Sequence, residues 1–352
     1  ALSFFTDTPE LRLFGDGNTW QSIVGASALL WIVHFLILRG VQTAASINLV
    51  ATLAKLLPLG LFVVLAMMMF KLDTFKLDFT GLALGVPVWE QVKNTMLITL
   101  WVFIGVEGAV VVSARARNKR DVGKATLLAV LSALGVYLLV TLLSLGVVAR
   151  PELAEIRNPS MAGLMVEMMG PWGEIIIAAG LIVSVCGAYL SWTIMAAEVP
   201  FLAATHKAFP RIFARQNAQA APSASLWLTN ICVQICLVLI WLTGSDYNTL
   251  LTIASEMILV PYFLVGAFLL KIATRPLHKA VGVGACIYGL WLLYASGPMH
   301  LLLSVVLYAP GLLVFLYARK THTHDNVLNR QEMVLIGMLL IASVPATWML
   351  VG

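Results

Sequence analysis

Four ionisable side chains stand inside long apolar runs: Lys55, Glu107, Glu198 and Glu256. A charge at membrane depth costs several kcal/mol and as a rule faces a cavity or a partner. The sharpest case is the stretch LWVFIGVEGAV, residues 100–110, where Glu107 follows seven apolar or glycine residues. The next cation along the chain, Arg115, lies two turns further on, too far along a helix to answer it. Gly105 and Gly108 flank Glu107. Glycine permits a local unwinding of the helix, and broken helices line substrate sites in transporters. The same glycines would also let another helix pack closely.

Aromatic faces attract cations most strongly when desolvated. Trp101, Trp192 and Tyr262 lie within apolar runs, whereas Trp20, Trp89 and Trp172 stand at run ends as interfacial belt residues. At a rise of about 1.5 Å per residue, Glu107 lies about 12 Å above the cytoplasmic end of its helix, Trp101 about 21 Å and Glu256 about 22 Å. A tryptophan and a carboxylate at one depth suit an organic cation with an alkyl stem, with Glu107 below them. Trp101, Gly105 and Glu256 are therefore candidates for substrate binding. No His/Asp/Glu group has metal-ligand spacing, no nucleophile–histidine pair suggests an enzyme, and no cofactor is implied.

The remaining polar groups read more blandly. Lys55, before Leu56, Leu57 and Pro58, either neutralises a carboxylate or snorkels. Glu198, just before Pro200, suits a structural place near the cytoplasmic interface. The cysteines Cys186, Cys232, Cys236 and Cys286 all lie in apolar runs and read as small buried hydrophobes. His322 and His324 in KTHTHD read as a solvated loop.

The elements that must position these groups follow from composition. Of the 352 residues 60% are hydrophobic and only 11% are charged, against about a quarter in soluble domains, and the mean hydropathy is +0.93. Lipid must solvate most of the surface, so this is an all-α polytopic membrane protein. Runs of about 20 apolar residues, each enough for one crossing, give ten spans: 20–38, 44–70, 89–114, 124–148, 172–200, 224–243, 248–271, 278–296, 299–318 and 333–351. They exceed the length of barrel strands and must pair their backbone internally, so each should be a helix. Residues 1–19 form an extracytoplasmic segment. It holds Asp7, Glu10, Arg12 and Asp16 and does not resemble a signal peptide.

Fifteen of the 22 cations fall in alternate loops: Arg39, then Arg115 to Lys124, then Lys207, Arg211 and Arg215, then Lys271, Arg275 and Lys279, and last Arg319, Lys320 and Arg330. The other loops carry acids such as Asp73, Asp78, Glu152 and Glu155. By the positive-inside rule the first set is cytoplasmic and residue 1 lies outside. A chain starting in the cytoplasm would then need an odd number of spans before this sequence. The net charge of +5 is thus a topology signal, and no basic run interleaved with aromatics points to nucleic acid.

The segments LWVFIGVEGA with RNKRDVGKAT, GAYLSWTIMAAEVPFLAATHKAFPRIFAR and LVPYFLVGAFLL resemble the sixth, eighth and tenth helices, and the loops after the sixth and eighth, of the amino acid–polyamine–organocation superfamily. The similarity is strongest to the basic amino acid/polyamine antiporters, and in the long tail and extra last helix to arginine/ornithine antiporters. The resemblance covers nearly the whole chain and maps its spans onto helices four to thirteen. It implies a LeuT-like 5+5 inverted-repeat fold, incomplete at the N-terminus, with helix six unwound at the midplane.

By that resemblance Trp101 stacks on the substrate side chain, Ile104 contacts it in the unwound region, and Glu107 serves gating and proton sensing. Trp192 is a middle gate and Tyr262 a further gate. Glu256 has no counterpart and is assigned on depth alone. The implied activity is exchange of arginine for ornithine by alternating access in the bacterial inner membrane, with arginine, ornithine or lysine as ligands. Arginine/agmatine or lysine/cadaverine exchange, proton-coupled uptake, and a non-transporting sensor or subunit remain alternatives. A homodimer is left open.

Overall fold

The computed structural model describes residues 13–351 apart from 16, 112, 114, 115, 117, 157, 158, 245, 246, 323–327 and 329. Most of the segment 1–19, Arg115, Arg117 and His324 therefore lie outside the described residues. The described secondary structure is helical: α1 (Trp20–Leu38), α2 (Val41–Met69), α3 (Leu72–Lys76), α4 (Val88–Trp101), α5 (Gly108–Val111), α6 (Lys119–Val147) and α7 (Arg150–Glu155). Then follow α8 (Ser160–Met169), α9 (Pro171–Thr205), α10 (Ser223–Thr243), α11 (Tyr247–Ile272), α12 (Pro276–Ser296), α13 (Pro298–His322) and α14 (Arg330–Val351). Short 3-10 turns stand at Leu82–Leu84 and Arg211–Ala214.

Local chemistry sets the ends. The Thr19 hydroxyl caps α1 by accepting the Ser22 amide at 3.3 Å. Pro276 opens α12 at a position where its missing N–H costs nothing. Gly244 closes α10 in the left-handed region that an L side chain resists.

Seven helical stretches among the described residues are long and apolar enough to cross a membrane: Trp20–Leu38, Leu49–Met69, Asp121–Val147, Pro171–Thr205, Ser223–Thr243, Ala254–Ile272 and Pro276–Ser296. Helix α4, with 14 residues, reaches only about 21 Å, short of the roughly 30 Å hydrocarbon core. Its shortness is the direct result of a break described below.

The chain divides into two compact units. The first holds residues up to Val86, Gly105–Phe201 and Phe213–Ser245. Within it α1, α9 and α10 share a core of Val33, Ile37, Leu190, Ala197 and Leu226. Beside that core runs a polar seam. His34 and Asn230, both buried, meet at 2.7 Å, Trp31 Nε1 donates to Gln234 Oε1 at 3.1 Å, and Gln234 Nε2 donates to Ser27 Oγ at 2.9 Å. Hydrocarbon offers these groups no other partners, so the seam ties α1 to α10 in one register. A second core joins Phe62 and Ala66 of α2 to Ala162, Leu164 and Met165 of α8 and Ile177 of α9.

The loop after α2 is pinned to α6 and α7. The Lys71 amide donates to Gly146 O at 2.9 Å, and Arg150 pairs with the Asp78 carboxylate. Asp78 also accepts the Ala83 amide at 3.1 Å. That backbone bond first, and the Arg150 guanidinium after it, hold the Asp78 carboxyl below its ordinary value, against an opposing effect of partial desolvation.

The second unit holds residues 87–104, 202–212 and 246–352. Here α11 and α12 run antiparallel at close range. Methyl groups added at Gly282 and Gly289 would stand 2.9 Å from Leu270 and 3.1 Å from Phe263, so glycine allows the approach. Helix α4 joins them through Leu100, Leu259 and Leu292. Arg319 pairs with Glu332 at 3.2 Å and links α13 to α14.

Candidate functional site

The helix that begins at Val88 stops at Trp101 and restarts at Gly108. Its last hydrogen bonds tighten to three-residue spacing, with the Phe103 amide on Leu100 O at 3.0 Å and the Ile104 amide on Trp101 O at 3.1 Å. Gly105 then takes φ +107, a conformation open to glycine and strained for other residues.

The break strands backbone groups, and Glu107 meets two of these needs. Its carboxylate Oε2 accepts the Gly105 amide at 2.9 Å. Its carbonyl accepts the amides of Val110 and Val111 at 2.8 and 3.1 Å, which starts α5. The residue that stands just before α5 thus reaches back with its side chain to an amide in the break and forward with its carbonyl to the helix. Glu107 is half-buried, and a charge-assisted bond to an amide is about twice as strong as a neutral one.

Helix α9 lies against this break through two side chains one turn apart. A methyl group added at Gly105 would stand 2.9 Å from Cζ2 of the Trp192 indole. One added at Gly108 would stand 2.5 Å from the Met195 sulfur. The unwinding and packing readings of the two glycines therefore both hold: Gly105 turns the chain and seats Trp192, and Gly108 seats Met195. The sequence marked Trp192 and passed over Met195, whose only signal is its place three residues further along the same helix face.

In the second unit, Leu100 packs with Leu259 and Leu292, and Ile104, Ile258 and Tyr262 pack against that group. Glu256, only 4% exposed, stands three residues before Leu259. Trp101, half-buried, directly follows Leu100. The two are thus within about one helical turn of each other in depth. Tyr262 is a half-buried member of this apolar group. The boundary between the two units falls at the Ile104–Gly105 bond, inside the break.

The other singled-out residues scatter. Glu198 is buried in the first unit at 2% exposure. Lys55 is half-buried on α2 beside exposed Leu56 and Leu57, and no carboxylate among the described residues pairs with it, which favours snorkelling. The cysteines depart from the expectation of burial: Cys186, Cys232 and Cys236 are exposed and Cys286 is half-buried, all free thiols. On an outer face solvated by lipid, a small apolar side chain needs no core. His322 Nε2 lies 3.3 Å from Phe209 O, tied to the turn after α9 and not loose in solvent.

A model of the amino acid permease family matches residues 2–340. An arginine/ornithine antiporter of Pseudomonas aeruginosa is 44% identical over 327 residues, 87% of this chain and 68% of that protein. Arginine/agmatine antiporters of Chlamydia caviae and Chlamydia pneumoniae are 41% identical over 331 residues and 38% over 353. Those alignments cover 89% and 94% of this chain, and 68% and 73% of the respective relatives. With an all-helical fold, seven stretches among the described residues fit to cross a bilayer, and a family match over residues 2–340, this multi-pass membrane protein belongs to the amino acid permease family.

Proposed function

We propose that the protein is a secondary transporter that exchanges cationic amino acids, arginine against ornithine, across the bacterial inner membrane by alternating access. The chain crosses with ten spans lying between residues 20 and 351, residue 1 outside and the loops with Lys207, Arg211 and Arg215 inside. The observation that carries the reading is the broken helix at 102–107, whose Gly105 amide is held by Glu107 and whose Gly105 Cα seats Trp192. Such a segment frees backbone groups at membrane depth where a substrate can use them. The identity to antiporters over most of the chain supports the substrate class.

Each candidate residue takes a stated role. Trp101 faces the alkyl stem and terminal cation of the substrate, Ile104 and Gly105 contribute the opened backbone, and Glu256 supplies the counter-charge. Glu107 sets the charge and shape of the break, and Trp192 and Tyr262 gate. Strict exchange requires that the empty carrier switch sides slowly and that bound substrate favour the moving state.

Counterflow in proteoliposomes of the full-length protein tests the reading. Labelled arginine should enter vesicles loaded with ornithine and stay near background in empty ones. Accumulation without any internal substrate would sink exchange, and a response to agmatine equal to that of ornithine would favour the arginine/agmatine alternative, which the two chlamydial relatives support.

A further inference from the structure

Trp192 and Met195 sit three residues apart on α9, and the glycines they meet, Gly105 and Gly108, also sit three residues apart. The two fits differ in kind. At Gly105 an added methyl would meet Cζ2 at 2.9 Å and Cη2 at 3.3 Å of a rigid indole, on a backbone already at φ +107. At Gly108, inside the restarted helix α5, it would meet Sδ at 2.5 Å and Cε at 2.9 Å of Met195. Those atoms are the far end of an unbranched thioether with three rotatable bonds, the side chain best able to fill an irregular gap and refill it after a shift. The upper contact is stiff and the lower one yields.

We propose that Met195 is a positioning residue for exchange: it is the compliant surface over which α5 shifts along α9 while the Trp192–Gly105 contact stays seated. This rests on the alternating-access reading above. Close-packed interfaces switch between discrete arrangements, so a helix segment that must move needs a neighbour that can repack at both ends of the movement without leaving a void. Buried Gly108 leaves no side chain of its own between α5 and Met195, and Met195 supplies the give from the α9 side. A β-branched residue of similar size would fill the same space in one arrangement and resist the other.

The test compares variants of the full-length protein by arginine counterflow and by arginine-dependent thermal stabilisation. Met195→Ile should bind arginine within about twofold of the parent and keep its KM, while maximal exchange falls about tenfold or more. Met195→Leu, unbranched at Cβ, should stay within about threefold. Gly108→Ala should be tolerated while Met195 is present, fail when combined with Met195→Ile, and recover when combined with Met195→Ala. Met195→Ile exchanging at the parental rate would overturn the proposal. So would a parallel loss of binding and rate in that variant, or a Gly108→Ala defect indifferent to the residue at 195. Absence of counterflow in the parent would instead refute the transport reading on which the proposal stands.

Discussion

The bond between the Glu107 carboxylate and the Gly105 amide can be taken apart by degrees. At 2.9 Å, with the acceptor half-buried, it belongs with hydrogen bonds to charged groups, worth about 1.5–3 kcal/mol. Glu107→Gln keeps an acceptor oxygen at the same reach and removes the charge, leaving a neutral bond of about 0.5–1.5 kcal/mol. The expected loss is about 1 kcal/mol. Glu107→Ala leaves the Gly105 N–H without its acceptor, at about 1–3 kcal/mol. Glu107→Asp keeps the charge on a side chain one methylene shorter and should fall between the other two.

At roughly 2–4 °C per kcal/mol, the purified protein should lose about 2–4 °C in unfolding midpoint with Gln and up to about three times that with Ala. Exchange by Glu107→Gln should persist at a reduced rate, since the acceptor remains and its charge is gone. If Gln and Ala variants unfold at the same temperature, the carboxylate does not support the break. If Glu107→Ala exchanges at the parental rate, the gating role fails as well.

Gly105→Ala should lower exchange at least tenfold, because an L residue near φ +107 carries about 1–3 kcal/mol of strain. Pairing it with Trp192→Ala should not restore activity, and rescue there would show that crowding alone is at work. Glu256→Gln should weaken arginine binding roughly tenfold and leave an amino acid of equal length with a neutral side chain unaffected; equal effects on both would remove Glu256 from the site. Asp78 is held below its ordinary carboxyl value of 3.8, so its contribution is complete above that value and is lost as pH falls through the lower folded value. Asp78→Asn should therefore unfold more easily than the parent at pH 5–8, with the difference closing only well below pH 4; a difference that already closes near pH 6 would contradict the assignment.

How much was legible depended on which physics was local. Glycine at 105 and 108 beside a carboxylate inside an apolar run marked the place of the break, because backbone freedom and charge cost are properties of single residues. The depth of Glu256 relative to Trp101 was an expectation from counting residues along helices of fixed rise; the packing of Leu100 with Leu259 puts them about one helical turn apart. Helix α8 was not foreseen: ten residues containing Glu167, Met and Gly are too few and too mixed to read as a span, and its burial depends on Phe62 and Ile177, distant in sequence. Met195 was passed over for the same reason. Nothing in IMAAE says that its third atom shell meets a glycine nearly ninety residues earlier. The polar seam of His34 and Asn230 likewise required the pairing of α1 with α10 to become visible.

Glu107 also changes character once its partner is known. Judged by charge alone it needed a cation, and Arg115 was the nearest along the chain. Judged by backbone accounting it answers a different shortage. A helix cannot open in hydrocarbon unless something accepts the amides that lose their carbonyls, and water is the one acceptor the setting withholds. A glycine supplies the turn but no acceptor; a serine or asparagine would supply an acceptor without charge. A carboxylate offers the strongest acceptor of these, because the bond it takes is charge-assisted. Bonded to Gly105 at 2.9 Å, it puts that acceptor two residues from the peptide that turns, so removing it acts on the shape of the break directly, with no intervening element to transmit the change.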